Sequence, residues 1–446
     1  MNISSTINPD LDTTGVKPKA KDVAILKANA TKIDEPGHVW VSWNPSSESC
    51  DENQPACLKC KRHDVVCNYG PSIIKKISDR SDMGSSTAEE PGTDKIPDFP
   101  ETAERRLQEL TLLHHYTTNT SRTISFTTST NYDQATIDMF TQTVPSIALT
   151  NVALLYSIYS ISSFHLNHST IAPSTSTSTG TSNPSFLTAY TYLDQTLRLH
   201  RQEIQHLTPL TADAICLTSS NLRICAFAML QQRSRIPYTA PIDWLRINRG
   251  ASMAFKAACL CIVLSRDVDV DFHNINPSEE ALKKSVAWMF VRRMPVLADH
   301  SEIFVEANAG KFAHLLRRTE GDLASEEWDG EIEGAYRSTV CYLGYVYKHI
   351  EAKDDPATIT RLLIGFPYFI EQRFVELVAE EQPRAMVLLA VVFALFVRIR
   401  KIWWIGNCGD KEVRGIFGML GDEWGGVKEE IGDLVREGEE DVYEFL

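Results

Sequence analysis

Apolar residues recur at helical spacing through most of the chain after residue 100. In residues 104–116, Leu107, Leu110, Leu113 and His114 stand at i, i+3, i+6 and i+7, which predicts a helix with one apolar stripe. Residues 147–166 are apolar nearly all round, which predicts a helix in the centre of the fold. No segment shows the sustained alternation that is typical of strands. The pattern therefore predicts a large all-α domain over residues 101–446.

The same periodicity predicts the remaining helices of this domain. They cover residues 135–140, 186–206, 212–230, 241–255, 279–294, 302–318, 331–351, 383–405 and 411–446. Thr211 stands where it can cap the helix that follows it, and Pro241 stands at a favourable first helical position. The longest fully apolar run, residues 385–397, is shorter than the ~20 residues that a membrane span needs, so it predicts a buried helix and no membrane span.

The N-terminal part of the chain lacks this pattern. Residues 1–45 are mixed polar sequence, and residues 73–100 are rich in Ser, Asp, Gly and Pro with few side chains to bury. Such composition does not offset the entropy cost of ordering the chain. We therefore expect a disordered arm over 1–45 and a flexible linker over 73–100, with a separate small module at 46–72.

Composition and charge narrow the functional classes. The 446 residues are 43% hydrophobic and carry a formal net charge of −14, so no overall basic field attracts the chain to nucleic acid. Ten cysteines in this length do not form a disulfide framework, and no secretory signal is recognisable at the start. We expect a reducing intracellular compartment. The dinucleotide, P-loop, nucleophile-elbow and HExxH motifs of common enzymes are absent, so no enzyme is predicted.

Four of the cysteines lie within eighteen residues, at the spacing C-x6-C-x2-C-x6-C. They are Cys50, Cys57, Cys60 and Cys67, and Pro55 stiffens the turn before the second of them. Closely spaced thiolates in a polar segment are suited to tetrahedral zinc. These four residues are the predicted metal site, with zinc as the cofactor.

This array resembles the second half of the module found in fungal binuclear zinc-cluster transcription factors. That module has six cysteines, spaced C-x2-C-x6-C on each side of a loop that often contains proline. The four cysteines and Pro55 match its third to sixth cysteines and its loop proline, and Asp51 and Tyr69 match frequent companions. The resemblance implies a nuclear regulator of RNA polymerase II transcription that binds zinc and DNA.

The first half of the module is missing, since residues 1–49 contain no cysteine. Residues 46–72 carry the basic residues Lys59, Lys61 and Arg62 against four acidic ones, a formal net charge of −1. These three can make phosphate contacts, which position a protein on DNA without specifying a sequence. Either the preceding coding segment was replaced in the gene assembly, or the module has decayed. We expect at most one zinc ion, and DNA binding no better than weak and non-specific, from this chain.

Residues 107–121, 241–251 and 382–406 resemble the regulatory region of one branch of these factors, the sterol uptake control proteins. This resemblance implies that the helical domain senses a sterol or another apolar ligand. Side chains suited to line such a pocket are Trp244, Trp403, Trp404, Phe393, Phe396 and Met386. The competing interpretation is that they form the core. The alternative function is a helical ligand- or partner-binding protein that does not bind DNA. The sequence leaves open whether the protein forms a homodimer.

Overall fold

The computed structural model describes residues 100–124, 134–170, 186–267, 285–293, 302–318 and 326–443. All of these residues belong to one compact unit. Every regular element within them is helical, which confirms the predicted all-α class. The predicted arm, zinc module and linker lie outside the described residues.

The helices of the described ranges follow one another along the chain. They are α1 (Ala103–Thr118), α2 (Gln134–Asp138), α3 (Val144–Ala148), α4 (Val152–Thr170), α5 (Leu187–Ile204), α6 (Ala212–Gln232), α7 (Ile242–Asp267), α8 (Val286–Arg293), α9 (Gly330–Glu351), α10 (Pro356–Phe369), α11 (Gln372–Ala379), α12 (Pro383–Phe396), α13 (Cys408–Met419) and α14 (Gly425–Glu440). Shorter helical segments, the first of them a π-helix and the rest 3-10 helices, are Met139–Thr143, Thr120–Thr123, Glu306–Asn308, Gly310–Leu316, Val397–Ile399 and Asp422–Trp424.

Two helices lie at the centres of the packing. α4 contacts α1, α5 and α6, and α12 contacts α9, α10, α11, α13 and α14. From Arg384 to Phe396, every residue of α12 is buried, so this helix is surrounded on all sides as its all-round apolar sequence requires. α6 and α7 form an extensive antiparallel hairpin. α6 contacts α4, and α7 contacts α10 and α11.

α1 forms where it was predicted, but its predicted apolar stripe points outward. The side chains of Leu107 and Leu110 are 68% and 59% exposed, and His114 is exposed as well. Leu112 and Tyr116 are the buried residues of this helix. The prediction of which face packs on the domain was therefore wrong.

Polar contacts join Leu112 and Tyr116 in holding the inner face of α1. The Arg105 guanidinium donates from Nη2 to the hydroxyl of Tyr156 on α4, at 2.8 Å. The hydroxyl of Tyr192 on α5 donates to Oε1 of Glu109 at 2.9 Å. A hydrophobic pattern gives no information on such directional bonds. The predicted apolar stripe therefore did not identify the face of α1 that packs on the domain.

The helix predicted over 302–318 is also wrong, because the structure has two 3-10 helices there. The Asn308 side chain donates from Nδ2 to the backbone carbonyls of Glu302 and Ile303, at 2.7 and 2.8 Å. Gly310 has a φ of 29°, in the left-handed region. Together these contacts turn the chain where a continuous helix would run straight.

Other helices differ from the prediction at their ends. The segment predicted over 383–405 ends as an α-helix at Phe396, and the segment predicted over 147–166 is broken between α3 and α4. Thr211 precedes α6 as predicted, but its hydroxyl accepts from the Thr208 amide at 2.9 Å instead of capping the helix. Pro241 lies one residue before α7, and the pattern missed α10 and α11.

Two described helical segments, Ala212–Gln232 and Ile242–Ser265, are long and apolar enough to cross a membrane by length and composition alone. The number rises to three if the bent pair Gln372–Ala379 and Pro383–Ile399 counts as one span. In the structure 78% and 56% of the most apolar windows of the first two are buried inside the protein. The absence of a membrane span stays a prediction.

Candidate functional site

The residues predicted to bind zinc and DNA lie outside the described residues. They are Cys50, Cys57, Cys60 and Cys67 for the metal, and Lys59, Lys61 and Arg62 for phosphate contacts. Between residues 100 and 443, the described ranges contain no group of three or more His, Cys, Asp or Glu side chains that could hold a metal ion. The zinc site therefore stays a prediction about residues 46–72.

The other six cysteines are free thiols, and all but the half-buried Cys261 are buried. Cys216 on α6 and Cys259 on α7 lie in one buried hydrophobic cluster. Burial raises the pKa of the Cys225 and Cys408 thiols to about 12. These side chains are protonated at neutral pH and act as small apolar residues of the core.

The aromatic residues proposed to line a ligand pocket mostly contact one another. Trp244 lies 5.4 Å from Phe227 and 5.3 Å from Phe393, measured between ring centroids, and Trp404 lies 5.3 Å from Phe227. Phe396 packs on Trp244 and Phe227, and Met386 is fully buried. The rings fill the space between them, so this arrangement favours the core interpretation. The Trp244 indole Nε1 is buried without a hydrogen-bond partner.

Trp403 does not belong to this cluster and packs on two histidines of α4. Its ring centroid is 4.6 Å from His165 and 5.8 Å from His168, and its Nε1 donates to Thr123 Oγ1 at 2.9 Å. The two histidines share one face, as their spacing indicated. Burial, helped by the neighbouring His115 and then His168, lowers the pKa of His165 to about 4. At neutral pH these rings are uncharged packing groups.

A third α-helical histidine, His200 on α5, is buried deep in the bundle. Only 3% of it is exposed, and its Nε2 lies 3.0 Å from the hydroxyl of Ser219. Its Nδ1 is buried without a hydrogen-bond partner. Burial lowers the pKa of His200 to about 3, because the imidazolium would lose its hydration. No serine–histidine–carboxylate triad is completed around this pair by the described residues.

Acid is therefore expected to destabilise the fold through His200. Above pH 6.5 the ring is neutral in both the folded and unfolded chain, whereas below it only the unfolded chain binds the proton. The stability is lost as pH falls from 6.5 towards 3, by about 2 kcal/mol at pH 5 from this one residue. Urea unfolding of wild type and His200→Gln at pH 7.5 and pH 5 measures the difference. His206→Gln, at an exposed histidine, is the control; equal pH dependence in all three proteins would contradict the prediction.

Sequence reasoning missed a charged network that fixes the loop between α6 and α7. Glu412 on α13 is fully buried, and Arg233 donates to its Oε1 from Nε at 2.8 Å. Arg233 also binds Oε2, Arg235 donates to Oε1 at 2.9 Å, and the Tyr238 hydroxyl donates to Oε2 at 2.8 Å. The one signal of this network in the sequence is Glu412 itself, a glutamate among the apolar positions of α13. The network joins two distant parts of the sequence.

A second missed network surrounds Arg384, which the sequence presented only as the end of an apolar run. The residue is 1% exposed at the start of α12, and its Nε and Nη2 donate to the Glu326 carboxylate at about 3 Å. Its Nη1 donates to the backbone carbonyls of Leu315 and Arg317. These contacts attach the segment before α9 to the central helix, so their role is structural.

The chain also resembles known proteins. Residues 111–229, from the middle of α1 to the end of α6, match the family described as "Fungal specific transcription factor domain". A relative in Aspergillus fumigatus, named Zn(2)-C6 fungal-type transcription factor afumD, is 30% identical over 339 residues, covering 76% of this chain and 79% of the relative. A second, a Zn(2)-C6 fungal-type transcription factor of Gibberella zeae, is 21% identical over 447 positions, covering 84% and 80%.

The family match covers the helices from α1 to α6. Because the Aspergillus relative shares this identity over most of both lengths, the chain belongs to the family of Zn(2)-C6 fungal-type transcription factors.

Proposed function

We propose that this protein is a nuclear regulator of RNA polymerase II transcription in which residues 46–72 bind zinc and the helical domain regulates their action. Family membership supports the transcriptional role. The observation that carries the zinc proposal is the register of the four cysteines, Cys50, Cys57, Cys60 and Cys67, with half of a zinc-cluster module. Nuclear localisation follows from the same role.

The donor set of this module fits one zinc ion. Both relatives carry Zn(2)-C6 in their names, whereas residues 1–99 of this chain contain four cysteines. Four thiolates complete one tetrahedral site, and bound zinc would supply the cross-link that folds so short a segment. The remaining six cysteines lie in the helical domain, five of them buried, and are unsuited to complete a second site.

DNA is the proposed partner, with low affinity for this chain. Lys59, Lys61 and Arg62 would contact phosphates, but the net charge of −1 over residues 46–72 supplies no excess positive charge to neutralise a duplex. We propose non-specific binding that weakens steeply with salt. The alternative, a helical partner-binding protein that never contacts DNA, predicts no binding at any salt concentration.

Metal analysis and a DNA titration test the proposal. We expect about one zinc per chain, lost in the Cys57→Ser/Cys60→Ser variant because two of four ligands are removed. Cys261→Ser, in the helical domain, is the control and should retain zinc. Two zinc ions per chain would mean that other ligands take part. Zinc retained by the double variant would show that these cysteines are not the zinc ligands. In gel-shift titrations, tight binding that resists competitor DNA would contradict the proposed low affinity.

Ligand sensing by the helical domain is the finer part of the proposal. The support is the resemblance to sterol uptake control proteins and the unpartnered Nε1–H of Trp244 inside an aromatic cluster. A sterol hydroxyl could accept from this donor only if the surrounding rings moved apart, since they are in mutual contact. Homodimerisation stays a prediction as well; the exposed leucines of α1 offer an apolar surface to a second copy.

A further inference from the structure

Three basic side chains of the α6–α7 hairpin point towards the C-terminal half of α10. Arg223 on α6 donates from Nη2 to the backbone carbonyl of Ile364 at 3.3 Å, and Arg249 on α7 donates to that of Ile370. Lys256, also on α7, donates from Nζ to the Tyr368 hydroxyl at 2.7 Å. All three residues are half-buried.

The three cations lie close together along the hairpin. All three donate to one short stretch, residues 364–370, whose ends are about 9 Å apart at the rise of a helix. Arg249 and Lys256 are seven residues apart on one helix, about 10 Å along its axis. The cluster therefore spans little more than the length of a small organic molecule.

No carboxylate forms an ion pair with any of these cations in the described residues. Their hydrogen bonds go to two backbone carbonyls and one phenol, and Glu371 acts on Arg249 only through its longer-range charge. Arg223 makes one hydrogen bond, and its Nε is buried without a partner. α10 itself contains no acidic residue. This is an excess of positive charge in a protein whose net charge is −14.

The excess is energetically unfavourable in the protein alone. Burial lowers the pKa of Arg223 to about 10 and also lowers the pKa of Arg249, because each guanidinium loses hydration without gaining a full counter-charge. Cations do stabilise the C-terminal end of a helix, which explains the hydrogen bond from Arg249 to Ile370. That role does not explain three half-buried cations gathered on one face, nor the unpartnered Nε of Arg223.

Aromatic rings line the same face. Lys256 Nζ lies 5.4 Å from the Tyr368 ring centroid, Tyr368 packs edge-on against Phe369 at 4.9 Å, and Phe369 stacks on Tyr342 at 5.0 Å. Flat apolar walls beside cations are suited to an organic anion with a planar body. Inorganic phosphate would use the charges and leave the rings without a role.

We propose that the face between α6, α7 and α10 binds a small aromatic carboxylate, with its carboxylate group on Arg223 and Arg249 and its ring against Tyr368 and Phe369. The proposal rests on the regulatory role proposed above for the helical domain and names the chemistry of its effector. The carboxylate supplies the counter-charge that the described residues lack, and the guanidinium forks match its geometry.

Cinnamate is the probe for this site, and cinnamamide is its uncharged control. Thermal unfolding of the full chain in increasing cinnamate should show a saturable rise in Tm that cinnamamide does not give. The Arg223→Gln/Arg249→Gln variant should bind on the order of tenfold more weakly, or worse, since charge-assisted bonds are lost. Arg246→Gln, at an exposed arginine of α7, should bind as wild type. No saturation at millimolar cinnamate, or equal binding by the double variant, would overturn the proposal.

A second measurement needs no ligand. If Arg223 is held for an anion that is absent, Arg223→Met should leave Tm unchanged or raise it, because it removes an uncompensated buried charge and keeps the stem. A structural arginine would instead give a clear fall in Tm, which would count against the site. Neither measurement involves zinc or DNA, so failure here is distinguishable from failure of the proposed transcriptional role.

Discussion

Replacing Glu412 by alanine is expected to lower the free energy of unfolding by about 3–5 kcal/mol, the largest effect of any single charge in the described residues. The carboxylate is fully buried and accepts from Arg233, Arg235 and Tyr238. Its loss leaves two half-buried guanidinium groups without a counter-charge in a place where water enters poorly. Urea unfolding at pH 7 followed by circular dichroism measures the change.

Two further variants separate charge from shape. Glu412→Gln keeps the volume and loses the charge, so we expect an intermediate loss of stability. Replacing the ions together, as Arg233→Met, Arg235→Met and Glu412→Leu, should recover much of the stability, because no unpaired charge is left. Glu423→Gln, at an exposed glutamate, is the control. A loss below about 1 kcal/mol in Glu412→Ala would place this network among ordinary surface ion pairs.

Gly344→Ala is expected to lower the free energy of unfolding by about 3 kcal/mol. A Cβ built on Gly344 would lie 1.7 Å from the backbone oxygen of Asn308 and 2.8 Å from its carbonyl carbon. Backbone cannot rotate away as a side chain can, so α9 and the Glu306–Asn308 segment would have to separate. The measurement is again the free energy of unfolding.

The same helix supplies a matched control for this substitution. A Cβ at Gly334, also in α9, meets nothing within 4 Å. Gly334→Ala should therefore stabilise the protein by roughly 0.5–1 kcal/mol, since alanine restricts the unfolded chain and favours the helix. If both alanine variants changed stability alike, close packing of Gly344 on Asn308 would not be the cause.

The sequence predicted the class of the fold because helical periodicity is a local property. The fully buried α12 could be located from thirteen consecutive apolar residues. What could not be predicted depends on distant partners: the inner face of α1 is set by Tyr156 and Tyr192, and the turn near Gly310 by the Asn308 amide. Neither kind of contact can be recognised from the hydrophobic periodicity of the sequence.

The same limit applies to the candidate sites. The proposed zinc ligands rest on a fixed spacing of cysteines, which can be read from the sequence directly. The cation cluster of Arg223, Arg249 and Lys256 brings together two helices and the end of a third. Each of these residues looks like an ordinary surface charge in its own segment. Only the packing of α6 and α7 against α10 assembles them.

The way α1 is attached has a consequence for whatever is joined to its N-terminus. Bonds such as Arg105–Tyr156 and Glu109–Tyr192 form in one orientation only, so they place the helix accurately. Exposed to water, both halves of each pair would be well solvated, so the net free energy that they contribute is small. The burial of Leu112 and Tyr116, and not these polar bonds, therefore supplies most of the free energy that holds α1 on the domain. A partner that covered Leu107 and Leu110 would meet a helix whose orientation is already fixed.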